Sequence, residues 1–257
     1  MNYKMILEYD GSRYDGWQKQ GNTDRTIQGK LENVLTRLEE APVEVHGSGR
    51  TDGGVHARAQ VANFHLKRAW EVRELMAALN TYLPGDIRVL ELSEAPERFH
   101  SRLNASSKTY RYQIWMEGKP DVFRRNYFYN LGHRLDLGLM KAAAGQLTGT
   151  HDFKSFCANK KMKKSTVRDL ESIRFTLLEE GKALAVDYEG SGFLQQMVRI
   201  LTGTLIEVGL GKREAAGMEA ILTALDRQAA GYTAPPEGLC LMEVRYDPAS
   251  FSGEEER

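Results

Sequence analysis

The chain has 257 residues, a length that fits one large domain or two small ones. Its 35 Lys and Arg residues balance 35 Asp and Glu residues. The formal net charge of zero excludes the overall positive charge typical of nucleic-acid-binding proteins and leaves only local basic patches for such a function.

The cysteine, histidine and apolar patterns exclude further classes of protein. Cys157 and Cys240 form neither a disulfide framework nor a metal-cluster pattern, and the six histidines show no ligand spacing. No apolar run is long enough for a membrane helix, and no apolar signal core opens the sequence. We therefore expect a soluble cytoplasmic protein that binds no metal.

The first hundred residues alternate strand and helix patterns. Ile27, Leu31 and Leu35 fall on one face of a predicted helix that has Thr26 as its N-cap. The predicted elements run strand, helix, strand, strand, helix, strand, at residues 3–9, 26–40, 43–46, 60–66, 71–82 and 87–92. This order indicates a ferredoxin-like α+β unit.

A glycine-rich stretch at residues 47–57 connects the second and third strands. Four glycines fall within residues 47–54, and Asp52 is the carboxylate among them. Glycine lets a partner approach the main chain closely, and Arg50 can hold the Asp52 carboxylate ionised and fix its direction. An ordinary Asp-Gly turn explains the same spacing. A dinucleotide-binding loop is a weaker interpretation, because an acid stands where that loop needs a glycine. The stretch also has no Gly-Lys-Ser/Thr and is therefore not a nucleotide-triphosphate loop.

The second half repeats the rhythm of helix followed by strands. Its predicted elements lie at residues 107–114, 136–147, 173–177, 184–188, 195–208, 212–225 and 238–244. We therefore predict an α+β fold of two similar ferredoxin-like halves with antiparallel sheets. The N-terminal domain spans 1–104 and carries the Asp52 loop, and the C-terminal domain spans 105–257 and ends in an acidic tail at 252–257 that we expect to be disordered.

The most basic stretch of the chain is residues 159–168, which contain no acid. Its cations are Lys160, Lys161, Lys163, Lys164 and Arg168. A solvated loop is the usual explanation of such a run. In a neutral protein, however, a cluster of one sign also suits a phosphate backbone.

The glycine-rich stretch resembles a known signature. The string Gly-Arg-Thr-Asp-Gly-Gly-Val-His-Ala at residues 49–57, followed by Gln60 and Val61, is similar to the motif of the tRNA pseudouridine synthase A family. Three more segments resemble that family in the expected order, at residues 9–18, 108–112 and 192–199. The resemblance covers roughly residues 3–246.

This resemblance implies a reaction and particular roles. The reaction is isomerisation of uridine to pseudouridine at positions 38, 39 and 40 of the tRNA anticodon stem-loop, by a homodimer whose two halves pack around a central active-site cleft. Asp52 would be the nucleophile, Arg199 its ion-pair partner, and Tyr110 the ring that packs on the target base. Arg50 is expected to assist catalysis and, with His56, to contact the substrate.

Chemical reasoning from the residues is compatible with these roles and leaves alternatives open. One ionised carboxylate suffices as a nucleophile, and an Arg in an apolar stretch needs a partner. The reaction requires no cofactor, redox step or metal. Asp52 could attack the sugar C1′ or the ring C6, and the sequence is compatible with both. The rival hypotheses are a non-catalytic RNA-binding protein, a nucleoside hydrolase, which would need two carboxylates, and an unrelated α+β enzyme with a structural turn.

Three places depart from the family's usual pattern. Gly53 stands where Ala is usual, Ala59 where Gly is usual, and Gln195-Gln196 where a Tyr-Asn-type pair is usual. They bear on fine positioning and not on the reaction itself.

Overall fold

The computed structural model describes residues 1–120 and 122–251, so the acidic tail predicted at 252–257 lies outside the described residues. The chain forms two compact units. Unit 1 comprises Met1–Ser106 and the chain from Leu241 onward, and unit 2 comprises Ser107–Cys240. The predicted domains assigned the C-terminal segment to the second half, whereas the contacts of that segment place it in unit 1.

Unit 1 follows the predicted alternation of strands and helices. Its elements are β1 (Asn2–Tyr9), α1 (Ile27–Glu39), β2 (Val45–Gly47), β3 (His56–His65), α2 (Val72–Tyr82) and β4 (Ile87–Ala95). The strands pair antiparallel in the order β4-β1-β3, and β2 pairs with β3. This is the β-α-β-β-α-β arrangement that the sequence predicts.

The core of unit 1 comes from apolar faces at helical and strand spacing. Fully buried side chains include Tyr3, Met5 and Leu7 of β1, Leu31 and Leu35 of α1, and Leu75 and Leu79 of α2. Each buried leucine contributes about 1.5–3 kcal/mol. Thr26 caps α1 as predicted, because its hydroxyl accepts a hydrogen bond from the Gly29 amide at 3.2 Å.

Unit 2 is again mixed α and β. Its elements are β5 (Ala105–Trp115), β6 (Tyr129–Asn130), α3 (Leu137–Gly145), β7 (Gly149–Asp152), β8 (Val167–Leu178), β9 (Ala183–Gly190), α4 (Met197–Gly209) and α5 (Met218–Ala224). The strands β5-β9-β8-β7 pair antiparallel, and β6 runs parallel to β5. The last strand, β10 (Leu239–Tyr246), contains the boundary between the units.

Both units thus mix helices with mostly antiparallel strands, which confirms the predicted α+β class. The cleft between the halves stays a prediction. No helix of residues 1–120 and 122–251 is long and apolar enough to cross a membrane.

Two elements of unit 2 differ from their predicted bounds by more than the one or two residues seen elsewhere in the unit. The helix predicted over 212–225 is wrong in extent, because only Met218–Ala224 is α-helical and a short 3-10 turn, Ala215–Gly217, precedes it. Gly217 ends the 3-10 turn directly before the helix, and glycine is unfavourable inside an α-helix, which agrees with the late start. The strand predicted at 173–177 extends over Val167–Leu178, so the end of the basic stretch lies in β8.

Candidate active site

The glycine-rich stretch forms the connection between β2 and β3, as predicted. Gly47 pairs with Ala62 at the end of β2, and β3 begins at His56, so the loop spans residues 48–55. Asp52 lies half-buried in the middle of this loop. Its carbonyl accepts a hydrogen bond from the Val55 amide at 3.2 Å, which closes a turn at the tip.

A buried polar network fixes the base of this loop. The Ser48 hydroxyl donates to Gln60 Oε1 at 2.7 Å, and Gln60 Nε2 donates to the Gly49 carbonyl at 3.0 Å. The hydroxyls of Tyr9 and Thr51 are 2.9 Å apart and share a hydrogen bond. The side chains of Ser48, Gln60, Tyr9 and Thr51 are all buried, whereas Gly49 is half-buried. A lost bond would leave a buried side-chain polar atom unsatisfied, so the network holds both neighbours of Arg50 in place.

Trp17 supports the loop from the side. It is 2% exposed, and its amide donates to the Thr51 carbonyl at 3.0 Å. A Cβ added at Gly47 would lie 2.5 Å from the Trp17 ring, so only glycine fits beside the indole. Trp17 is therefore a core anchor, and a ring that is 2% exposed is not available to stack on an RNA base.

The segment after β1 approaches the Asp52 loop along its main chain. The Gly54 amide donates to the Tyr14 carbonyl at 3.2 Å. A Cβ on Gly11 would lie 2.0 Å from the Val55 carbonyl oxygen. Gly16 has a φ of +104°, and a Cβ there would lie 2.7 Å from the Thr51 carbonyl oxygen. Both glycines are thus required by the close approach of two backbone segments.

That segment is in turn fastened to the start of β4. The Tyr14 hydroxyl donates to Asp86 Oδ1 at 2.5 Å, and Arg13 Nη2 donates to Asp86 Oδ2 at 2.6 Å. Burial, followed by the bond to the Asp86 carboxylate, raises the pKa of Tyr14 far above its usual range, so Tyr14 is a neutral donor. The Asp52 loop therefore rests on a second loop that is itself anchored.

His56, which we predicted to contact substrate, lies at the start of β3 and is 5% exposed. Its Nδ1 accepts a hydrogen bond from the Gly11 amide at 3.1 Å and lies 3.2 Å from Asp10 Oδ1. This places the imidazole between the Asp52 loop and the segment after β1. Direct contact of His56 with substrate stays a prediction.

Tyr110 lies on β5 of unit 2, opposite Tyr188 of β9. Its ring is 7% exposed and meets the Phe193 ring edge to face, with centroids 5.2 Å apart and an interplanar angle of 82°. Sequence reasoning did not single out Phe193. The signal was available, since Phe193 lies in the segment at 192–199 that resembles the family.

Arg199 lies in the first turn of α4 and is half-buried. Its Nε donates to the Ala234 carbonyl at 2.7 Å, and the Ala234 amide donates to the Arg199 carbonyl at 3.1 Å. The guanidinium is thus oriented by the segment before β10. The pairing of Arg199 with Asp52 stays a prediction.

The five cations of the basic stretch also belong to unit 2. The four lysines are exposed. Arg168 lies on β8, and its Nη1 donates to the carbonyls of Ser165 at 3.0 Å and Val167 at 2.6 Å. The Arg168 guanidinium is therefore partly used in hydrogen bonds to the backbone of its own segment.

Unit 1 thus brings together Arg50, Asp52 and His56 on and beside one loop, and unit 2 holds Tyr110 and Arg199. Among the residues described, no group of three or more His, Cys, Asp or Glu side chains is placed to hold a metal ion. Unit 1 thus offers a carboxylate and a guanidinium on one loop, and unit 2 offers a guanidinium and an aromatic ring.

Comparison with known proteins identifies relatives along most of the chain. The family described as tRNA pseudouridine synthase matches residues 5–104 and 143–247. A tRNA pseudouridine synthase A from Citrifermentans bemidjiense is 46% identical over 246 residues, which cover 95% of this chain and 97% of the relative. Another, from Bacillus sp. (strain KSM-64), is 44% identical over 245 residues, with coverage of 95% and 99%.

A third relative of the same name, from Halalkalibacterium halodurans, is 47% identical over 234 residues, which cover 91% of this chain and 88% of the relative. Among solved structures, the crystal structure of a Cbf5-Nop10-Gar1 complex aligns with 93% of this chain and 49% of its own at 11% identity. Its TM-score of 0.39 is too low to inform the fold.

Proposed function

The chain belongs to the tRNA pseudouridine synthase family and isomerises uridine to pseudouridine in tRNA, and we propose that Asp52 is the nucleophile of this reaction. The observation that carries the proposal is the placement of Asp52. Its half-buried carboxylate lies in the middle of a loop whose base is fixed by buried hydrogen bonds, inside the segment that matches the family. A nucleophile must be both ionised and aimed, and such a loop aims it.

The reaction breaks the bond between uracil N1 and the ribose C1′, turns the base, and joins C5 to C1′. C5 loses its proton and N1 ends with one. No oxidant or reductant is consumed, because substrate and product are isomers. Asp52 supplies the attacking oxygen, either at C1′ or at the ring C6. In either case a base that Asp52 can reach has left its stack in the RNA, which costs a few kcal/mol.

Tyr110 compensates for that lost stacking in our proposal, because an aromatic ring replaces a neighbouring base. The edge-to-face contact with Phe193 restricts the tilt of the Tyr110 ring. Arg199 pairs with Asp52, and Arg50 and His56 contact the substrate beside it. The hydroxyl of Tyr110 assists proton transfer at C5.

We place the target uridines at positions 38, 39 and 40 of the tRNA anticodon stem-loop, and the enzyme in the cytoplasm as a homodimer. The basic stretch at 159–168 contributes attraction to the RNA backbone. Its four exposed lysines support this role, since the whole chain has no net charge to attract RNA.

The test is pseudouridine content, by position, in an unmodified tRNA transcript incubated with wild-type protein or with Asp52→Ala. We expect product in the anticodon stem-loop from wild type and a rate at least about 10³-fold lower from Asp52→Ala, because removing a covalent nucleophile removes the reaction path. In the same assay Tyr110→Phe is expected to slow the reaction, and full activity would exclude a role for the hydroxyl.

Other outcomes separate the rival functions. Tight tRNA binding without product from wild type would favour a non-catalytic binding protein. Release of free uracil would favour a hydrolase. Equal product from wild type and Asp52→Ala would show that Asp52 is only a turn residue.

A further inference from the structure

Unit 2 contains an open cavity of about 350 Å³ that the proposed catalytic residues do not line. It lies between the loop that carries most of the basic stretch and the segment that follows α5. Its lining residues are Asp152, Lys154, Cys157, Asn159, Lys160, Met162, Lys164, Thr166, Leu225, Asp226 and Arg227.

The walls of the cavity are fixed to each other by one buried residue. The Ser155 hydroxyl, which is completely buried, donates to the Ile221 carbonyl at 2.6 Å and accepts from the Asp226 amide at 3.0 Å. The short 3-10 helix Lys154–Phe156 is thereby joined to the end of α5. The cavity is therefore built before any ligand arrives.

The lining carries an excess of positive charge. Four cations face two carboxylates, and the two carboxylates are used to shape the walls. Asp152 Oδ1 accepts from the Thr166 hydroxyl at 2.5 Å and from the Lys154 amide at 3.0 Å. Asp226 Oδ1 accepts from the Gln228 amide at 3.0 Å.

The lysines of the lining, by contrast, form no ion pair with a carboxylate of the described residues. Among the described residues, Lys154, Lys160 and Lys164 are exposed and have no carboxylate within 4.0 Å of the ammonium group. The fourth cation, Arg227, is oriented by a bond from Nη2 to the Thr233 hydroxyl at 3.0 Å. The cavity therefore offers ammonium groups to an anion, and its four cations exceed its two carboxylates by two charges.

A turn at the start of the basic stretch places two of its lysines in the cavity lining and two outside it. The Asn159 side chain accepts from the Lys161 amide at 3.0 Å, and the Asn159 carbonyl accepts from the Met162 amide at 3.2 Å. Lys160 and Lys164 line the cavity, whereas Lys161 and Lys163 do not. The chain thus supplies two lysine pairs that have the same charge and are close in sequence, and only one pair lines the cavity.

We propose that this cavity binds a single phosphodiester group of the RNA backbone, through Lys154, Lys160 and Lys164. This deepens the proposed function, on which it rests, by adding one built site to the diffuse attraction of residues 159–168. The described lining includes no aromatic ring, so the site recognises a phosphate and not a base. Lys154 joins the site although it lies outside the basic stretch.

The experiment compares the double variant Lys160→Gln, Lys164→Gln with the matched control Lys161→Gln, Lys163→Gln. The affinity of each for an unmodified tRNA transcript is measured over a range of salt concentrations. For the cavity pair we expect affinity to fall about tenfold and the slope of log K against log salt to become shallower by about 1, because one phosphate contact is lost. The control pair lies outside the cavity and contributes only diffuse attraction to the RNA, so it should lose less than about threefold.

Two further readouts complete the test. Lys154→Gln alone is expected to weaken tRNA binding more than Lys161→Gln alone. In the isomerisation assay the cavity pair should raise KM and leave kcat unchanged, because the site binds substrate and transition state equally. Thermal melting of each variant checks that these exposed substitutions leave the fold intact.

Equal losses from the two pairs would overturn the built site in favour of diffuse attraction. Binding of inorganic phosphate at the cavity, with tRNA affinity unchanged in the cavity pair, would overturn it in favour of a small-anion site. Product formation by wild type is scored separately. Absence of product would count against the proposed function, whereas the contrast between the two lysine pairs tests the cavity alone.

Discussion

The Asp52 loop of unit 1 and the phosphate cavity of unit 2 are built in opposite ways. Around Asp52 the supporting side chains of Ser48, Thr51 and Gln60 are buried and bonded to one another or to the backbone. In the cavity the lysines are exposed, and the bonded groups are those of the walls. The first region fixes the backbone of a loop by buried hydrogen bonds, and the second presents exposed positive charges.

This difference follows from what each region has to do. A nucleophile displaced by about 1 Å can lose about 100-fold in rate, so its support must be rigid. A phosphate contact contributes mainly through charge and tolerates variation in the position of a long side chain. Substitutions around Asp52 should therefore lower kcat, and substitutions in the cavity should raise KM.

Among the tests of this comparison, we expect the largest effect on stability and kcat from Gly11→Ala. The new Cβ would lie 2.0 Å from the Val55 carbonyl oxygen, a backbone atom that cannot move aside alone. We expect a loss of about 3 kcal/mol in the free energy of unfolding, the upper end of ordinary overpacking, and a fall of about 100-fold in kcat as the loop shifts. Chemical denaturation and single-turnover kinetics measure the two.

Gly53→Ala is the matched control in the loop itself. A Cβ at Gly53 would meet the Tyr14 carbonyl oxygen at 3.4 Å, an ordinary contact. We expect unchanged activity and a gain of about 0.5 kcal/mol, because alanine restricts the unfolded chain. The departure of Gly53 from the family pattern is then harmless. Equal damage from the two substitutions would show that the close approach at Gly11 is not what positions the loop.

The sequence predicts much of unit 1 because its signals are local. Periodic apolar residues mark α1 and α2, and the glycines of 47–54 mark the loop between β2 and β3. The contact between Tyr14 and Asp86, 72 residues apart, has no local signal, since only the folded sheet brings them together. Lys154 and Arg227 line one cavity although they are distant in sequence, and this proximity likewise has no local signal.

An intermediate effect is expected from Gln60→Met, which keeps the length of the side chain and removes its polar atoms. The Ser48 hydroxyl and the Gly49 carbonyl would each lose a buried partner. We expect a loss of about 2 kcal/mol in the free energy of unfolding and a lower kcat with little change in KM. This would extend the comparison from backbone contacts to side-chain support.

Gln20→Met is the control for that substitution, because Gln20 is exposed and its side chain donates to the Asp15 carbonyl at 3.2 Å. Its effect should stay within about 0.5 kcal/mol. A loss of stability in Gln60→Met with kcat unchanged would mean that the buried network supports the fold and not the nucleophile.

The smallest effect concerns pH and the histidines beside the Asp52 loop. The rings of His46, at the end of β2, and His100 stack with centroids 5.0 Å apart. Burial, and then the charge of His46, lowers the pKa of His100 below its ordinary value of 6.5. Arg102 acts in the same direction, whereas Glu44 lies 3.8 Å from His46 and can offset its charge.

A lowered pKa in the folded state means that the unfolded chain binds the proton more tightly. Stability is therefore full above pH 6.5 and falls as the pH drops towards the folded-state pKa. Between about pH 7.5 and about pH 5.5 we expect the free energy of unfolding to fall less in His100→Gln than in wild type. His133→Gln, at an exposed position, should retain the wild-type pH dependence. If His100→Gln also retained it, protonation of the stacked pair would not limit stability next to the Asp52 loop, and the rigid support of that loop would rest on the neutral hydrogen bonds of Gln60 and Tyr9.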